Sequence, residues 1–214
     1  MSGRRLNTLD RFILQADRAL KTLVPQSVQS SRPSPDQGLP EPILTAEQKR
    51  HIAGLMRINH TGEVCAQGLY QGQAITADHP HLVLALEKAA EEELDHLAWC
   101  EQRVHQMGYS TSLLNPLWYL ASVGIGACAG LAGDAVSLGF VAETERQVQA
   151  HLDHHLSQLP AEDQPTRAIV LQMHQDERQH TEMALAAGGK PLSPPIQGLM
   201  HLMSRIMTTL VYYF

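Results

Sequence analysis

The spacing Glu-x-x-His occurs at Glu93–His96 in "EEELDHLAWC" and again at Glu177–His180 in "QDERQHTEMA". Both copies fall on the apolar stripe of a predicted helix. Leu82, Leu86, Ala89, Leu97, Cys100 and Val104 recur at helical spacing, with Glu93 seven after Leu86 and His96 four before Cys100. Val170, Met173, Ala184 and Ala187 form the other stripe, and Glu177 and His180 lie on it. Two further glutamates share this property. Glu63 sits among Leu55, Met56, Ala66, Tyr70 and Ala74, and Glu145 among Leu138, Val141, Val148 and Leu152. Glu91 and Glu92 fall off the stripe and read as solvated. One Glu-x-x-His means little in a chain with 12 histidines. Two on core faces, each preceded by an inward Glu one helix earlier, constrain the fold strongly.

A bare carboxylate buried among apolar side chains costs several kcal/mol unless it takes a proton or finds a partner. Arg57, Arg103 and Arg178 do not lie on these stripes, so a pair of divalent cations fits better. Residues three apart share a helix face, which lets Glu-x-x-His offer two ligands to one point. One Glu from each of two helices, plus Glu-x-x-His from each of two others, is the ligand set of ferritin-like di-iron bundles. The candidate metal ligands are therefore Glu63, Glu93, His96, Glu145, Glu177 and His180. Oxygen and nitrogen donors without thiolate suit iron or manganese, and point to oxygen activation or iron storage.

The rest of the chain agrees with an all-α bundle. Thr45 and Gln48 make a capping-box pattern opening a helix that runs to about Ala77. Pro80 opens a second helix, closed near Met107 by Gly108. Asn115 and Pro116 read as N-cap and first residue of a stretch reaching Leu159, broken among its glycines. Pro160 and Pro165 mark a turn. A helix over 166–187 ends at Gly188, and an apolar helix covers 196–213. No strand pattern competes. Before Thr45, the residues Leu6, Leu9, Phe12, Ile13, Ala16, Leu20 and Leu23 predict a short amphipathic helix, and "PQSVQSSRPSPDQGLPEPIL" predicts a linker. The expected organisation is an arm over 1–44 and a helical domain over 45–214.

The net charge of −6 argues against a nucleic-acid footprint. Three cysteines without a CxxC pair read as buried, reduced thiols. The N-terminus lacks the apolar core of a signal peptide, and Asp10 and Asp17 weigh against a transit peptide, so a bacterial cytoplasmic protein is expected. Residues 113–133, "LLNPLWYLASVGIGACAGLAG", carry no charge yet lead directly into Glu145. Either they form a buried helix or they lie in a membrane interface, as the apolar C-terminal segment with its terminal aromatics also would. Gly126 and Gly130 allow close helix approach. "GIGACAG" has the wrong spacing and no preceding strand for a dinucleotide site. His151, under two turns beyond Glu145, is a candidate to support the metals from outside the ligand set.

The chain resembles the demethoxyubiquinone hydroxylase family, the di-iron monooxygenases of ubiquinone synthesis. The resemblance rests on "INHTGEVCAQGLYQGQ", "EEELDHL", "NPLWYLASVGIGACAGLAG", "FVAETERQV" and "DERQHTEMA", and covers residues 45 to 214. It implies two iron ions per chain. Glu63, Glu93 and His96 would hold one and Glu145, Glu177 and His180 the other, with Glu93 and Glu177 bridging. It implies that O2 hydroxylates a polyprenyl methyl-methoxy-benzoquinol, one oxygen entering the ring and the other leaving as water. It also implies peripheral attachment to the cytoplasmic face of the cell membrane, and association with other ubiquinone-biosynthesis proteins. Two other readings of the residues stay open: an iron or manganese store or peroxide scavenger, and a metal-free helical scaffold.

Overall fold

The computed structural model describes residues 8–214, apart from the side chains of Thr8, Leu9, Arg11 and Phe12. Seven helices and no strand occur among these residues: α1 Thr8–Leu23, α2 Ala46–Thr76, α3 Pro80–Gln106, α4 Asn115–Leu131, α5 Asp134–Gln158, α6 Gln164–Ala186 and α7 Pro194–Val211. The fold is an all-α bundle. Helix α2 packs against α3, and α5 against α6, while α4 lies along α2. A core of Ile52, Met56, Trp99, Cys100, Val104, Leu152, Ile169, Val170 and Met173 joins the four long helices at one end. Tyr70, Leu82, Leu86, Leu138, Val141 and Ala184 form a second cluster.

Local signals set most boundaries. The Thr45 hydroxyl accepts from the Gln48 N–H, and the Gln48 side chain accepts from the Thr45 N–H, completing the capping box. Gly108 and Gly188 take φ of +87° and +102°, the left-handed conformation that ends a helix cheaply only in glycine. The break in the long apolar stretch falls at Gly133, with φ +99°.

Three boundaries differ from the pattern. Asn115 is the first residue of α4, and Leu114 its N-cap. The Asn115 side chain accepts from the Thr61 hydroxyl at 2.8 Å and so ties α4 to α2. Helix α6 begins at Gln164 because Asp163 caps it, accepting from the Thr166 N–H at 3.2 Å. Pro165 belongs to the first turn, where its missing N–H costs nothing. The last helix starts at Pro194 for the same reason.

Glycine makes the α2–α4 contact possible. A Cβ on Gly126 would fall on the Leu69 carbonyl, and one on Gly72 would fall on the Val123 carbonyl. No side chain fits there, so the two backbones touch. The outer face of α4 is apolar: Leu117 and Leu120 are 62% and 68% exposed. Leu199, Leu202, Ile206, Tyr213 and Phe214, in and beyond α7, are also exposed. No helix among the described residues is long and apolar enough to cross a membrane. Cys128 is exposed on α4, contrary to the expectation of buried thiols; Cys100 is buried, and all three cysteines are free.

The predicted linker is held against α3. The Gln26 N–H donates to Glu101, the Ser31 N–H to Asp95, and Arg103 pairs with Glu41. Helix α1 docks through Arg18–Glu87 at 2.8 Å and through Ala19 and Leu23, which pack near Val64, Leu97 and Tyr119. Ile13 and Leu20, part of the predicted apolar stripe, are exposed. Of the predicted stripe, Leu6 and the side chains of Leu9 and Phe12 lie outside the described residues.

Candidate metal centre

Four helices deliver the six predicted residues to one point. Glu63 comes from α2, Glu93 and His96 from α3, Glu145 from α5, and Glu177 and His180 from α6. All six are buried, each 3% exposed or less. Their donor atoms form two groups, each within 4.8 Å: Glu63, Glu93, His96, Glu177, and Glu93, Glu145, Glu177, His180. Glu93 and Glu177 belong to both groups, the position a bridging carboxylate occupies between two cations.

The donors converge closely. His96 Nδ1 lies 2.7 Å from Glu93 Oε2 and 3.2 Å from Glu177 Oε1. His180 Nδ1 lies 2.9 Å from Glu93 Oε1 and 3.3 Å from Glu177 Oε2. Despite these short approaches, both Glu93 oxygens and His96 Nδ1 lack a well-aligned hydrogen bond. Lone pairs gathered in a dry interior without a donor are costly. Divalent cations accept such lone pairs, and the oxygen and nitrogen donor set suits iron or manganese.

Charge balance points the same way. Burial pushes the Glu63 carboxyl well above its ordinary range, and the neighbouring Glu93 and Glu177 push it further. Burial does the same for Glu145, reinforced by Glu177 and Glu93. Burial would also raise Glu93, but His96 and His180 overcome it and hold that carboxyl low. Burial opposes charge on His180, yet hydrogen bonds to Glu177 and Glu93 carry it up to about 12. Cations bound here would take the place of protons on these carboxyls.

A surrounding set of polar groups orients the cluster. His96 Nε2 donates to Asp176 Oδ2 at 2.9 Å, leaving Nδ1 to face the centre. His180 Nε2 meets Glu92 Oε2 at 2.8 Å. The Tyr70 hydroxyl donates to Glu145 Oε1. Glu92 was expected to be solvated; its side chain, 36% exposed, instead turns inward to His180. Asp176 and Arg32, which contacts Asp176, were not singled out by the sequence pattern, and Tyr70 was read only as part of the apolar stripe around Glu63. His151 is in neither donor group; its ring packs against His155 with 4.0 Å between centroids. The excluded arginines have other partners. Arg103 pairs with Asp163 at 2.7 Å, Arg57 donates to the Ser110 and Tyr212 carbonyls, and Arg178 pairs with Glu182.

A helical bundle with a buried carboxylate–imidazole cluster shared between two donor groups belongs to the class of proteins suited to a dinuclear metal centre. Comparison with known families narrows this. The family model described as "Ubiquinone biosynthesis protein COQ7" matches residues 50–211, and this chain belongs to that family. The chain is 57% identical over 211 residues to a 3-demethoxyubiquinol 3-hydroxylase of Pseudomonas aeruginosa (strain LESB58), covering 99% of this chain and 98% of the relative. A protein of the same description from Pseudomonas putida (strain GB-1) is 58% identical over 209 residues, covering 98% and 97%. One from Stutzerimonas stutzeri (strain A1501) is 56% identical over 211 residues, covering 99% and 98%. These alignments take in the N-terminal arm, which the resemblance read from the motifs did not reach.

Proposed function

We propose that this chain is a 3-demethoxyubiquinol 3-hydroxylase, an oxygen-dependent monooxygenase of ubiquinone biosynthesis. In this reading Glu63, Glu93, His96, Glu145, Glu177 and His180 hold two iron ions in a ferritin-like four-helix bundle spanning 45–214, to which the arm 1–44 is appended. The observation that carries the reading is the sharing of buried Glu93 and Glu177 by both donor groups, in a chain of the COQ7 family. Bound iron would supply the activation of O2: one oxygen atom enters the quinol ring and the other leaves as water, with the two electrons and two protons this requires drawn from a reductant, or from the quinol itself, which then leaves as the hydroxylated quinone.

The chain's own residues position and shield. Asp176 and Glu92 hold the two imidazoles with Nδ1 turned inward. Tyr70 steadies the Glu145 carboxylate. The apolar clusters of the bundle keep bulk water from the reacting groups.

The substrate's polyprenyl tail is lipid-soluble. The exposed apolar residues of α4 and α7 support peripheral docking on the cytoplasmic face of the cell membrane, where such a quinol resides. Neighbouring ubiquinone-biosynthesis proteins are partners consistent with that location.

Metal content after anaerobic iron loading tests the reading, alongside hydroxylated product from the quinol. Wild type should hold close to two irons and form product; Glu93→Ala with Glu177→Ala should lose both properties. An iron-replete, active Glu177→Ala chain would sink the site. Iron accumulation as mineral without lipid product would favour a store.

A further inference from the structure

We propose that Arg32, from the N-terminal arm, is a positioning residue that holds His96 in place for one of the two metal ions and leaves the other untouched. This rests on the dinuclear reading above.

Arg32 lies between α1 and α2, outside every helix. Its guanidinium spans two acidic side chains from different helices. Nε meets Asp95 Oδ2 on α3 at 2.7 Å, and Nη1 meets Asp176 Oδ2 on α6 at 2.9 Å. The Asp176 oxygen that takes Nη1 is also the one that accepts from His96 Nε2. Nη2 stands 3.5 Å from that same nitrogen. The guanidinium carbon sits 4.9 Å from the Trp99 ring centroid, and that ring is 5.5 Å from the His96 ring. Ser31 fixes the backbone here, its N–H and hydroxyl donating to Asp95 at 2.6 and 3.1 Å.

This arrangement fixes the Nε2 end of the His96 imidazole. Asp176 sets the tautomer by accepting from Nε2, and Arg32 sets Asp176. A planar fork is well matched to that role, because its rigid, divergent N–H groups hold two carboxylates in a fixed relation that a rotating ammonium on a flexible stem does not. The guanidinium also offsets the negative charge that Asp95 and Asp176 add behind the ligand.

The other histidine has a looser support, because the cation behind its carboxylate is the exposed Lys88 of the same helix, 3.5 Å from Glu92 Oε1, and not a residue bridging two helices. His180 Nε2 meets Glu92, whose side chain is 36% exposed. Glu92 lines an open cavity of about 340 Å³, with Arg32 and Asp176 also at its wall. The two halves share bridging glutamates yet differ in how rigidly each imidazole is held. The group containing Glu63 and His96 is braced by the arm; the group containing Glu145 and His180 is not.

The test is loss of ferrous iron to a chelator under anaerobic conditions, followed as ions per chain against time in the full-length protein. In wild type two ions are retained. In Arg32→Ala one ion should leave roughly 10- to 100-fold faster, the cost usual for disturbing a ligand's supporting partners, while the other keeps its wild-type rate. Arg32→Lys should fall between. Glu92→Gln should speed only the other ion, and the double variant should speed both. In the cobalt(II)-loaded chain, the visible spectrum of one ion should shift in Arg32→Ala. Arg32→Gln, which keeps bulk over Trp99, carries the same comparison if the alanine chain folds poorly. Wild-type rates for both ions in Arg32→Ala would overturn the proposal. So would equal acceleration of both ions, which is the mark of general loosening. A wild-type chain that takes up fewer than two ions would instead bring down the dinuclear reading itself.

Discussion

The Tyr70 hydroxyl on α2 donates to the Glu145 carboxylate on α5, so one candidate ligand is steadied across the bundle by a phenol. Burial and the negative Glu145 beside it push the Tyr70 phenol well above its ordinary range, which keeps it a donor. Tyr70→Phe removes that donor without changing the packed ring. The expected outcome is an intact fold with affinity for one ion reduced roughly tenfold, within the range for lost supporting partners. Metal titration of the purified chain checks it; unchanged affinity for both ions would show that Tyr70 serves packing alone.

Close approach between α2 and α4 makes an opposed pair of glycine predictions. Gly126→Ala places a methyl on the Leu69 carbonyl, and the helices must separate. Overpacking of this kind costs about 1–3 kcal/mol. Gly124 has nothing within 4 Å of its would-be Cβ, so Gly124→Ala should be neutral or stabilise by up to about 1 kcal/mol. Urea unfolding of the two variants decides; equal effects would contradict the contact.

Acid should weaken the fold earlier than carboxylates alone would make it do. Burial, with His151, His154 and His51 nearby, lowers the His155 imidazole to about 2. Burial likewise lowers His60 to about 3. The unfolded chain protonates these groups near their ordinary pKa of about 6.5, while the folded chain does not. Stability is therefore full above that value and declines as pH falls through the window beneath it. His155 alone should account for about 2 kcal/mol between pH 7 and pH 5. Urea midpoints of wild type and His155→Leu at both values test this. If the variant loses as much stability as wild type between them, His155 is not the cause.

Leu117 and Leu120 are open to solvent on α4, so charges there should leave the fold unchanged. Leu117→Lys with Leu120→Glu should reduce flotation with liposomes made of neutral lipid. Undiminished flotation would rule out this face as the attachment surface.

The inward carboxylates were legible because periodicity reports direction. A glutamate seven residues from one leucine and four from another shares their face, whatever its charge. What periodicity omits is the approach of one helix to another. Glu92 lies off its own stripe but reaches His180 on a neighbouring helix. Asp176 adjoins the candidate ligand Glu177 and turns to a histidine of α3. Arg32 sits in a segment with no period, so its role has no local signature. His151 shows the converse limit. Six residues beyond Glu145 it is near in sequence, but a face repeats at seven, and its ring turns to His155. Asn115 carries a capping residue's chemistry and uses it on Thr61 instead.

The glycine contact between α2 and α4 has a bearing on depth. Helix α2 carries Glu63 and Tyr70, and α4 is seated on it backbone to backbone, with no side chain between them to yield. A lipid surface that takes up the outer face of α4 therefore takes up the centre at a set distance below that face. On such an attachment, the distance from bilayer to centre would be a property of main-chain geometry, insensitive to which leucine or isoleucine faced the lipid.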